Sequence, residues 1–115
     1  MLVKHSRWWP LLAATILLPL HLKLDRSAPA ANATLDAAPA AVQLWFSQPV
    51  ELPATKVTVT NAAKQAVPVR ALERGTDGAV QAPLPALASG RYVVEWRTMA
   101  RDGHVVKGDF AFTVK

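Results

Sequence analysis

Arg91-Tyr92-Val93-Val94-Glu95-Trp96-Arg97 is the stretch on which the fold of this chain turns. Side chains at i and i+2 of an extended segment point the same way, so Tyr92, Val94 and Trp96 share one face. Glu95 and Arg97 alternate with them on the other. Asp109-Phe110-Ala111-Phe112-Thr113-Val114 repeats the pattern, with Phe110, Phe112 and Val114 inward. Between the two strands lies Arg97-Thr98-Met99-Ala100-Arg101-Asp102-Gly103-His104. Asp102 and His104 are separated by a glycine, so a carboxylate and an imidazole project together with nothing between them. Half of a metal site is one reading of this motif. A solvent-exposed Asp-Gly turn is the other.

Upstream the same period of two recurs. Val42, Leu44 and Phe46 share a face in Val42–Ser47, and Gln48-Pro49 ends that strand. Val57 and Val59 are inward in Lys56–Thr60. After a turn at Asn61–Gln65, Val67–Leu72 reads as a strand that Pro68 confines to an edge or interrupts. Gly75-Thr76-Asp77-Gly78 is a turn, followed by a weak strand near Ala79–Ala82. Residues 25–41 are rich in Ala and Pro and read as an irregular lead-in with one short strand around Ala33–Leu35. These six to seven short strands, with no helical periodicity after residue 24, predict an all-β antiparallel sandwich or Greek-key barrel.

The chain has 115 residues, enough for one domain. Residues 1–20 carry Lys4 and Arg7 and then the apolar run Trp8 to Leu20. A basic start followed by about a dozen apolar residues is the layout of a secretory signal peptide. The run is short for a spanning helix, which wants about 20 apolar residues. An uncleaved anchor is the alternative reading, because Pro19-Leu20 is a poor context for cleavage before His21. Of 13 basic residues, 11 then remain in 21–115 against 8 acidic ones, a net charge of +3. That excess is spread out, which argues against nucleic acid as a partner. Cysteine is absent, so zinc fingers, iron–sulfur sites and thiol chemistry are excluded. A metal bound here must use nitrogen and oxygen donors, with Met99 as the one thioether after residue 20. The histidines are His5, His21 and His104.

Read in order, His21-Leu22-Lys23-Leu24, Ala33-Thr34-Leu35, Ala38-Pro39, Phe46-Ser47-Gln48-Pro49-Val50-Glu51, Gly90–Arg97, Asp102-Gly103-His104 and Gly108–Val114 form a set. In that order they resemble the CopC family of periplasmic copper-binding proteins, over essentially all of residues 21–115. The resemblance implies an immunoglobulin-like β-sandwich that binds one Cu(II) per chain. The metal ligands it implies are His21, through imidazole and a freed terminal amine, together with Asp102 and His104. Imidazole, amine and carboxylate suit Cu(II), which stands at the top of the divalent affinity order. Glu51 is a candidate for orienting an imidazole from behind.

Three departures stand out. Lys23 occupies a position where many relatives carry histidine. Met99 alone cannot make the family's methionine-rich Cu(I) site. Ala100-Arg101 replaces a serine-containing pair, and sets a cation beside the candidate ligand Asp102. The resemblance further implies a monomer in the periplasm, acting in copper resistance, buffering or delivery, beside an inner-membrane transporter of the CopD type. A carrier rather than an enzyme is expected. The competing readings are a histidine-brace copper oxygenase on a β-sandwich and a metal-free immunoglobulin-like interaction module.

Overall fold

A computed structural model describes residues 21–115. The segment read as a signal peptide lies outside the described residues. Nine strands are present among them: β1 (Leu24–Ala28), β2 (Thr34–Leu35), β3 (Ala41–Phe46), β4 (Lys56–Thr60), β5 (Ala66–Val67), β6 (Glu73–Arg74), β7 (Val80–Pro83), β8 (Gly90–Met99) and β9 (Val105–Val114). They form a four-stranded sheet, ordered β1-β3-β7-β6, and a five-stranded sheet, ordered β2-β9-β8-β4-β5. The all-β two-sheet sandwich expected from the alternation is therefore what the chain adopts. None of the described helices is long and apolar enough to cross a membrane.

The inner faces follow the alternation. Val42, Leu44, Val80 and Ala82 of the first sheet meet Val57, Val59, Tyr92, Val94, Trp96, Phe112 and Val114 of the second. Tyr92 and Phe112 are opposite in register and stack at 5.4 Å. The Tyr92 hydroxyl donates to the Ala88 carbonyl at 2.7 Å, which satisfies the polar tip of a buried ring. Phe46 meets Trp96 edge-on at 5.2 Å. Gly108 lies opposite Trp96, and a Cβ there would sit 2.6 Å from the indole. A glycine is thus required for this indole to fold over the neighbouring strand.

The structure departs from the sequence reading at the edges. β1 falls in the stretch read as an irregular lead-in. Its burial does not alternate, and its register on β3 slips between Leu24 and Arg26, so no period of two was there to find. The expected strand Val67–Leu72 pairs only at Ala66 and Val67, because Pro68 has no N–H to give. β7, read as weak, is an interior strand whose small residues are sealed: Ala79, Val80 and Ala82 are essentially inaccessible. The sheet order is not purely antiparallel either. β2 runs parallel to β9, since the chain crosses from one sheet to the far edge of the other after β1.

Candidate metal centre

The two halves of the site come from opposite ends of the chain. The first is the turn joining β8 to β9. Their antiparallel register runs unbroken from Gly90↔Val114 to Met99↔Val105. The turn closes with the Ala100 N–H on the His104 carbonyl at 2.8 Å and the Gly103 N–H on the Ala100 carbonyl at 2.9 Å. Gly103 has φ +90°, a conformation that glycine adopts without strain. The Asp102 carboxylate folds over this turn. Oδ1 accepts the His104 N–H at 3.0 Å and Oδ2 lies 2.7 Å from His104 Nδ1. Both readings of the motif thus describe the same residues: the Asp-Gly turn is what brings carboxylate and imidazole together.

Both side chains are well exposed, 81% for His104 and 62% for Asp102. The Asp102 carboxyl is held below the ordinary aspartate range, first by the His104 backbone N–H and then by the His104 side chain. An ionised carboxylate can only accept, so Nδ1 is the donor of this pair, and in the neutral ring the lone pair is then on Nε2. A carboxylate behind an imidazole is the arrangement that fixes ring and tautomer in metal-binding histidines. For Asp102 to ligate a metal itself, Oδ2 would have to exchange His104 Nδ1 for the ion.

The second half is the segment entering β1. Leu22 is buried in the core. On either side of it Ser47, just past β3, grips the backbone. The Ser47 hydroxyl accepts the Lys23 N–H at 2.9 Å and donates toward the His21 carbonyl at 3.5 Å, while the Ser47 N–H donates to the Lys23 carbonyl at 2.8 Å. His21 is fixed as the last residue before the core. Ser47, which holds the backbone beside a candidate ligand, is the positioning residue that the sequence reading missed. It sat inside the Phe-Ser-x-Pro-Val motif, but its role depends on a segment 24 residues away.

The halves meet in a cleft of about 480 Å³ lined by His21, Gln48, Arg101, Asp102 and His104, with Leu22, Ala100, Val105 and Val106 as its apolar walls. His21, Asp102 and His104 thus share one open concavity. As they stand, no three His, Cys, Asp or Glu side chains among the described residues are grouped so as to hold a metal ion; what the cleft carries is a carboxylate-backed imidazole and, elsewhere on its lining, a second histidine. Nitrogen and oxygen donors at an open surface fit a borderline divalent ion such as Cu(II). Glu51 lines a neighbouring depression with Phe46, Arg74 and Asp77 instead. Its carbonyl accepts the Thr55 hydroxyl, which in turn pairs with the buried Thr98 hydroxyl, both at 2.8 Å. Met99 is not among the residues that line the cleft.

Comparison with known proteins gives a consistent picture. The family model described as CopC domain matches residues 24–115. Protein YobA of Escherichia coli (strain K12) is 34% identical over 98 residues, covering 83% of this chain and 79% of YobA. Copper resistance protein C of Escherichia coli is 35% identical over 104 residues, covering 83% of this chain and 82% of its own length. Among solved structures, CopC from Methylosinus trichosporium OB3b superposes with a TM-score of 0.75 at 31% identity, covering 83% of this chain and 94% of that one. The matched span includes both sheets and the Asp102–His104 turn, and the chain belongs to the CopC family.

Proposed function

We propose that this protein is a Cu(II) carrier of the periplasm, binding one ion per chain at His21, Asp102 and His104 in copper resistance, buffering or delivery. Copper binding and copper resistance are the function that goes with the family; the ligand set and the oxidation state are the proposal. The observation that supports it is the single cleft lined by two histidines and a carboxylate, from residues 21 and 102–104.

His104 offers its imidazole beside Asp102, whose Oδ2 would exchange His104 Nδ1 for the ion when both ligate it. His21 offers an imidazole on a backbone pinned by Ser47 and Leu22. Cleavage before His21 would add a terminal amine to the same ion, and a second donor on one residue binds at high effective concentration. Arg101, also in the cleft, sets a like charge beside the cation and restrains affinity, which suits an ion that must be released. A carboxylate at the metal fills a position an oxygenase would keep open, so the reading is of a carrier and not of an enzyme. An inner-membrane transporter of the CopD type is the proposed partner. The test is Cu(II) titration of the processed protein against a form with one extra residue before His21. Every side chain is kept and only the amine is displaced. A loss of affinity comparable to that of His104→Ala is expected, and unchanged affinity would remove the amine from the site.

A further inference from the structure

The outer face of the five-stranded sheet is striped. Lys56, Arg97 and Lys107 stand opposite one another across β4, β8 and β9. The next row along the strands is Thr58, Glu95 and Asp109. All five charged residues are exposed. Like charges directly opposite in a sheet destabilise it, and a solvated face gains more from opposite charges in register. Here cations face cations and carboxylates face carboxylates. Among the described residues no ion pair joins the two rows: those present are Asp102–His104 and Lys115–Asp36. Flanking the cation row is Met99, opposite Val105, the two large apolar side chains that stand exposed among the described residues. Flanking the acidic row is half-buried Val93. Along β8, the central strand of its sheet, the outward residues therefore read Val93, Glu95, Arg97, Met99: apolar, negative, positive, apolar.

That order is its own complement under a two-fold rotation. We infer that this face is the docking surface for a second copy of the same chain, packed sheet on sheet about an axis between the two charged rows. Arg97 of one copy then lies over Glu95 of the other, Lys107 over Asp109, and Met99 over Val93. A membrane or a polyanion would meet the carboxylate row with repulsion, whereas a second copy meets each row with its opposite. An open depression of about 560 Å³ lined by both rows gives the long cationic side chains room to reach across. Four rows on three strands span on the order of 400 Å² per copy. That is about half the ~800 Å² per partner of a standard stable interface. The dimer is accordingly weak and salt-sensitive, and the monomer expected from the sequence is its dilute state. The rotation sends the two Asp102–His104 turns to opposite ends, so the inference needs no metal, although Val105 borders both the face and the cleft.

The experiment is analytical ultracentrifugation of the full chain, processed as the cell processes it and purified without copper. Wild type should show concentration-dependent dimerisation at low ionic strength, weakening about tenfold or more when salt shortens the screening length to a few ångströms. Reversing the cation row (Arg97→Glu with Lys107→Glu) should abolish it, as should reversing the acidic row (Glu95→Lys with Asp109→Lys). Mixed in equal amounts, the two variants should form a heterodimer, and all four changes in one chain should restore self-association. Circular dichroism confirms that each variant folds. A wild type that stays monomeric at about 1 mM in low salt would overturn the inference. So would reversed variants that fail to associate on mixing, or a dimer indifferent to both reversals.

Discussion

The two halves of the candidate metal centre are held in opposite ways. The β8–β9 turn ends a long hairpin whose paired strands carry Tyr92, Trp96 and Phe112 into the core. It is a rigid platform, and Asp102 and His104 lock each other on top of it. The segment bearing His21 precedes an edge strand with a slipped register, and its hold on the domain is one buried leucine and one serine. One half is therefore carried on a rigid platform, where Asp102 has only to exchange His104 Nδ1 for an ion, and the other rests on a few contacts that a bound ion would reinforce. In the proposed carrier, this asymmetry would make the His21 side the one that yields first.

Disturbing the platform under the rigid half means destabilising the domain. Phe112→Ala removes a fully buried ring stacked on Tyr92 and should cost about 3–5 kcal/mol in urea denaturation. Loss of copper binding should then track loss of fold. The looser half can be damaged alone. Leu22→Ala should cost about 2 kcal/mol, the low end for a buried leucine because the segment lies at an edge. Ser47→Ala should cost about 1 kcal/mol, the net value of a hydrogen bond. Both should weaken Cu(II) binding measured on folded protein at ambient temperature, while His104→Ala, at an exposed position, should weaken it with stability unchanged within about 0.5 kcal/mol. Equal copper affinity in Leu22→Ala and wild type would mean that His21 needs no anchoring.

How much of this was legible before the fold was known follows the same division. Val42, Leu44, Tyr92, Val94, Trp96 and Phe112 announce themselves by alternation because one face of each strand is buried. Asp102 and His104 were legible because the motif is local: the turn that joins them is made by the residues that spell it. β1 and β6 were not, because edge strands are held by backbone pairing that leaves no pattern in side chains. The part played by Ser47 was invisible for a related reason. Its partners His21 and Lys23 come near only after β1 has paired with β3.

The smallest effect concerns the pH response of the rigid half without copper. The folded state holds the Asp102 carboxyl below its ordinary value of about 3.9. A carboxyl depressed by folding contributes stability that is present above the unfolded value and lost as pH falls through the folded one. The contribution is slight, since the group is well exposed. Carbon-detected NMR titration should place the Asp102 midpoint below that of an unpartnered aspartate. Replacing His104 with alanine should raise it only in part, because the largest cause, the backbone N–H at 104, remains. A full return to the ordinary value would put the imbalance on the imidazole instead.

The central claim is that residues from both ends of the chain hold the same ion. Pulsed EPR of the processed protein loaded with one equivalent of Cu(II) tests this most directly, because the remote nitrogens of coordinated imidazoles give combination lines only when two rings share one copper. Those lines should be present in wild type and absent, with single-ring lines remaining, in both His21→Ala and His104→Ala. A single-imidazole spectrum in the wild type would contradict the account.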